Sequence, residues 1–122
     1  MFKEERKFPR ANVKFKIKVI CEGTVILGEP QNYTFHTYTE SIGEGGVKVI
    51  LEKELKIASL VKLELFITSK KTFPIKCKGI VVWTQRVNPE GTSPDLFETG
   101  IQFIELDKND QEVIGNIATT FK

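Results

Sequence analysis

The feature that most constrains the fold is a run of strict alternation near the N-terminus. In "NVKFKIKVIC", Val13, Phe15, Ile17, Val19 and Cys21 alternate with Asn12, Lys14, Lys16, Lys18 and Ile20. Successive strand side chains point to opposite faces, so this period specifies a half-buried strand with a lysine-rich outer face. The same period returns along the chain. "TVIL" continues the sheet or bends it, and "GEPQN" reads as a loop. "YTFHTYTE" is rich in β-branched and aromatic residues and reads as a second long strand. "GVKVIL" is a short strand after a glycine cluster, and "LVKLELFIT" alternates again. "FPIKCKGIVVWTQR" is a long strand with Pro74 near its start, where a strand tolerates proline. "NPEGTSPD" is a turn-rich loop, and "LFETGIQFIEL" is the last strand.

From Asp107 the period changes. "DKNDQEVIGNIATTFK" sets Val113, Ile114, Ile117, Ala118 and Phe121 at helical spacing. Asp107 is placed to cap this helix, with Asp110 and Glu112 near the positive end of its dipole. Gly115 inside the helix costs up to about 1 kcal/mol relative to alanine, so packing must hold it. Six or seven strands and one terminal helix make an all-β chain, a small antiparallel barrel or sandwich. The strands are many for so short a chain, and closure removes unpaired edges, so the barrel is preferred. A length of 122 residues points to one domain, with roughly two thirds of the unfolded surface buried on folding.

The net charge of +2 gives no global basic field for nucleic acid. No window reaches the ~18 apolar residues of a membrane span. "MFKEERKFPR" has no apolar core, so a signal peptide is not expected. Cys21 and Cys77 each sit in an apolar, strand-like run and read as buried, reduced thiols of a cytoplasmic protein. His36 is the only histidine, in antiphase to Phe35, and reads as a strand-surface residue. It has no cysteine or carboxylate at ligand spacing, so no metal site is expected. "GEGG" lacks the lysine–serine pair and following helix of a nucleotidase phosphate loop. No nucleophile is flanked by a recognisable base. Neither catalysis nor a cofactor is expected.

Two stretches stand out. "RKFPR" carries Arg6 and Arg10, with Lys7 beside Arg6. A guanidinium binds phosphate or a guanine edge bidentately and stacks on aromatic faces. Alone, the stretch also reads as a solvated basic terminus. Pro9, however, stiffens the backbone and extends Phe8, which a solvated tail does not need. The second stretch is "SIGEGG", with Gly43, Gly45 and Gly46 between two strands. It reads as a tight hairpin turn, or as a place where a ligand approaches the backbone closely.

In this order and spacing, the residues resemble the PilZ domain family over nearly the whole chain. The arginine pair R-x-x-x-R comes first and a strand like "VKFKIKV" follows. The motif of Asp or Asn, any residue, Ser, two residues and Gly stands here as "SIGEGG". "LVKLELFI", "IKCKGIVVW", "TGIQFIELD" and a terminal helix complete the pattern. The resemblance implies a six- to seven-stranded antiparallel PilZ-like β-barrel with a C-terminal helix. It divides the chain into a flexible segment, residues 1–11, and a barrel domain, residues 12–122. It also implies a bacterial receptor for the second messenger cyclic di-GMP. In such a receptor the N-terminal segment folds over the ligand. Arg6, Lys7 and Arg10 would then grip guanine edges and phosphates, Ser41 and Gly43 would hold a guanine, and Gly46 would shape the turn. Ser41 stands where Asp or Asn is usual, and Gly43 where Ser is usual. Moving the register to Thr39 and Ser41 would put Glu44 at the glycine position, so that register is rejected.

Three functions follow as expectations. The first is a non-catalytic cyclic di-GMP receptor with a further protein partner. The second is a domain of the same fold acting in pilus assembly or motility as a protein-interaction module without nucleotide. The third is a barrel binding single-stranded nucleic acid, with Phe15, Tyr33, Phe35 and Tyr38 as stacking platforms and Lys14, Lys16 and Lys18 as charge. Nucleic acid is not the expected partner, because a lysine stripe on a strand is ordinarily a solvated face.

Overall fold

The alternating segments become strands, and their register closes a barrel. The computed structural model of the chain describes residues 9–26, 29–67, 74–88 and 94–120. Among these, β1 is Arg10–Ala11, β2 Lys16–Ile26, β3 Glu29–Gly43 and β4 Gly46–Leu51. Next come β5 (Leu60–Phe66), β6 (Ile75–Arg86), β7 (Phe97–Glu105) and the helix α1 (Lys108–Thr120). Six strands pair antiparallel in the order β3-β2-β5-β6-β7-β4, and β4 returns to β3. The seventh, β1, lies outside this circuit against the end of β3. Closure satisfies the ladder groups that an open sheet would leave at its edges.

Alternation does what the sequence asks of it. Ile17, Val19, Val49, Val61, Leu63, Leu65, Ile75, Val81 and Ile101 are buried in one interior cluster. Each such side chain contributes about 1.5–3 kcal/mol when fully buried. Ile114 and Ile117 of α1 join the same cluster. The helix packs against β1 and β3, and so covers the barrel end where those strands meet. Asp107 caps it as expected: the Asn109 N–H donates to Asp107 Oδ1 at 2.8 Å, and the Gln111 N–H donates to its carbonyl at 2.8 Å. Phe121 lies outside the described residues.

Two boundaries differ from the sequence reading. "GEPQN" is not wholly a loop, because β3 already begins at Glu29, with Pro30 opposite Val25 of β2. Residues 12–15 alternate perfectly yet are not regular strand. From Ala11 to Lys16 the chain advances five residues while its partner β3 retreats four, from Ile42 to Tyr38. The extra residue breaks the ladder. Thr39, fully buried, repairs it: its hydroxyl accepts from the Phe15 N–H at 2.9 Å and donates to the Val13 carbonyl at 2.6 Å. Of the two readings of "TVIL", the sheet continues: Thr24–Ile26 extend β2 after a register shift between Cys21 and Thr24.

Neither cysteine is joined in a disulfide; Cys21 is buried and Cys77 partly so. Burial, reinforced by the Asp110 carboxylate, pushes the Cys77 thiol from its ordinary 9.0 up to about 12. No helix among the described residues is long and apolar enough to cross a membrane.

Candidate functional site

The glycine-rich stretch forms the connection between β3 and β4. Gly43 lies opposite Gly46, Ile42 opposite Val47 and Ser41 opposite Lys48. Outside β3, Arg10 lies opposite Gly43 and Ala11 opposite Ile42. Directly opposed residues share a face of the sheet. Ala11, Ile42 and Val47 are buried and point inward. Arg10, Gly43, Gly46, Ser41 and Lys48 therefore belong to the outer face of the rim. The structure thus brings together Arg10, Ser41, Gly43 and Gly46. Arg6 and Lys7 lie outside the described residues.

The rim is tightly built. A Cβ on Gly43 would stand 2.5 Å from the Pro9 carbonyl oxygen and 3.2 Å from Arg10 Cγ. Only a glycine lets β1 approach this closely. A Cβ on Gly46 would collide with the carbonyl oxygen of Ile101 on β7. Ser41 is 5 % exposed, so its hydroxyl sits below the open surface. Glu44, between the glycines, lays its carboxylate where a Cβ of Gly115 would be. That contact accounts for a glycine in the middle of α1: the helix docks on the β3–β4 turn through it.

Two outward residues extend the rim, and sequence reasoning passed over both. Lys48 lies opposite Gly100 of β7 as well as Ser41, and Trp83 of β6 also lies opposite Gly100. The indole of Trp83 occupies the space of the missing Gly100 side chain. Lys48 was legible as the polar residue between Val47 and Val49. Trp83 was not, because a register shift between Val81 and Trp83 moves it off the period of its strand. Beside Lys48 is a cavity of about 400 Å³ lined by Asn12, Lys14, Glu40, Ile50 and Glu98, in which Lys14 Nζ meets Glu40 Oε2 at 2.7 Å.

The stacking set imagined for single-stranded nucleic acid is corrected here. Phe15, Tyr33 and Phe35 pack against the core and do not share the face of Lys14 and Lys16. Tyr38 alone of the four is exposed. His36 is exposed on β3 as anticipated. Among the described residues no group of three or more His, Cys, Asp or Glu side chains could hold a metal ion.

A closed six-stranded antiparallel barrel, with a helix on one end and its candidate site on the outer rim, defines a class of small β-barrel domains. The PilZ domain model matches residues 4–119, and the chain belongs to the PilZ domain family. Its fold is similar to that of the Bacillus subtilis inhibitor of motility, MotI/DgrA (TM-score 0.74, 14 % identity, 97 % of this chain and 51 % of that one). It is also similar to K. pneumonia MrkH in complex with c-di-GMP (TM-score 0.67, 18 % identity, 96 % and 52 %). A third likeness is the PilZ domain of Escherichia coli YcgR with c-di-GMP (TM-score 0.64, 11 % identity, 97 % and 92 %). The chain spans about half the length of MotI and MrkH. No curated protein sequence matches it.

Proposed function

We propose that this chain is a cyclic di-GMP receptor module, cytoplasmic and bacterial, that performs no catalysis. Membership of the PilZ family supports the reading, as do two structural neighbours described with c-di-GMP. The observation that carries it is the placement of Arg10: the second motif arginine is the register partner of Gly43, on the outer face of the rim. In this reading Arg6, Lys7 and Arg10 supply charge and planar forks for the phosphates and guanine edges of a doubly anionic ligand. Ser41 offers a hydroxyl, Gly43 and Gly46 keep the turn narrow, and Lys48 adds a cation on the same face. Serine in place of Asp or Asn, and glycine in place of Ser, remove two ligand hydrogen bonds of about 1 kcal/mol each. Binding weaker by about 10- to 100-fold than with an intact motif follows. Isothermal titration with cyclic di-GMP should give saturable binding in the micromolar range that Arg10→Ala abolishes. Absence of heat at high protein concentration rejects the reading.

A second reading, a protein-interaction module that does not use nucleotide, is favoured by one observation. Ser41 is almost wholly buried and β1 covers Gly43. In that case partner capture from a lysate is unchanged by added cyclic di-GMP.

A further inference from the structure

A second site lies on the outer face of the barrel, away from the glycine rim. Lys16 of β2 is opposed by Tyr38 of β3 on one side and by Phe66 of β5 on the other. Tyr38 is 53 % and Phe66 39 % exposed, so two partly solvated aromatic residues flank Lys16 on the neighbouring strands. They line a cleft of about 500 Å³ that also includes His36. One row further along the sheet, Lys18 is opposed by His36 and by Glu64.

Among the described residues, the charge of this cleft separates it from two other cavities. The cavity beside Lys48 contains Glu40 and Glu98. A larger one, of about 610 Å³, contains Glu64, Glu105 and Asp107 among its lining residues. The Tyr38–Phe66 cleft contains a lysine and a histidine and no carboxylate. Lys16 and Lys18 stand about 6.7 Å apart along β2, a step comparable with that between neighbouring phosphates of an extended single strand. Exposed rings beside a row of cations are what a single strand requires: bases stack on the rings while the backbone follows the charge.

We propose that this face binds single-stranded nucleic acid, with a base stacked against Tyr38 or Phe66 and adjacent phosphates on Lys16 and Lys18. The proposal is independent of the cyclic di-GMP reading, whose β3 residues, Ser41 and Gly43, lie beyond the register shift that follows Thr39. It revives the nucleic-acid expectation on different residues: of the aromatic set first considered only Tyr38 remains, and Phe66 replaces the others.

The test is fluorescence anisotropy of a short labelled oligothymidine against the full chain, from low to physiological salt. The expected result is binding that weakens as salt rises. Tyr38→Ala and Phe66→Ala should each weaken it about tenfold. The double variant Lys16→Glu, Lys18→Glu should weaken it further and flatten the salt dependence. Phe66→Ala should leave the response to cyclic di-GMP unchanged, which also verifies that the variant is folded. No binding at low salt, wild-type binding by all three variants, or equal binding of a duplex of the same length overturns the proposal. Binding of thymidine monophosphate as tight as that of the oligonucleotide overturns it too, because the lysine row would then contribute nothing.

Discussion

One strand, β3, runs through two regions built on opposite terms. At its C-terminal end, from Ser41 to Gly43, every space is taken. The Pro9 carbonyl lies where a Gly43 side chain would be, and Glu44 fills the space beside Gly115. Five residues earlier, at Tyr38, the same strand is open, with an exposed ring facing Lys16. The break falls at the irregularity around Thr39, where the register of β3 shifts against both of its neighbours. On one side of that break the glycines are packing requirements. On the other side the chain leaves Lys16, Tyr38 and Phe66 exposed. The contrast teaches that glycine in a turn motif has two readings, and that the structural one can dominate even in a chain with the binding motif's spacing.

The largest break in the contrast is expected at Gly46. A Cβ there meets the Ile101 carbonyl and comes within 3.1 Å of Gln102 Cα, both backbone groups that cannot swing away. Gly46→Ala should therefore lower stability by about 3 kcal/mol. On the open face Lys18→Ala should stay within about 0.5 kcal/mol. Urea unfolding of the two variants measures both. A smaller effect sharpens the question of what Gly43 is for. Gly43→Ser restores the family's usual residue, but its Cβ must displace Pro9. A loss of about 1–2 kcal/mol in stability, with no gain in cyclic di-GMP affinity, is the expected outcome. A gain in affinity would mean that β1 yields readily and that the rim is less rigid than its packing implies. A last effect, felt only at alkaline pH, concerns Cys77. Its unfolded thiol ionises near 9.0 while the folded one holds its proton to about 12. Its contribution to stability is therefore complete below pH 9 and declines as pH rises from there toward 12. Thermal melts across that range should show the fall, and Cys77→Ser should reduce it.

Much of this architecture was legible before any coordinates. Period-two runs such as Leu60–Phe66 and Phe97–Glu105 became strands, because one buried face tolerates no slip of a single residue. Asp107 announced the helix by its side chain and by the polar turn that follows. The irregularities were not legible. An extra residue between β1 and β2, and the shift that turns Trp83 onto the outer face, leave no mark in an alternating pattern. They arise from closure, which depends on all six strands at once. For the same reason the motif positions could be named, and Arg10, Ser41, Gly43 and Gly46 do come together. That Gly43 is covered by β1 and Ser41 sunk below the surface could not be read from them.

The measurement that tests the account most directly is a titration of the isotope-labelled chain with cyclic di-GMP, followed by NMR amide shifts. The account predicts shifts at Arg10, Ser41, Gly43, Gly46 and Lys48 and at the Trp83 indole, with Lys16, Tyr38 and Phe66 unmoved. Shifts confined to the Lys16 face, or none at saturating ligand, would contradict it.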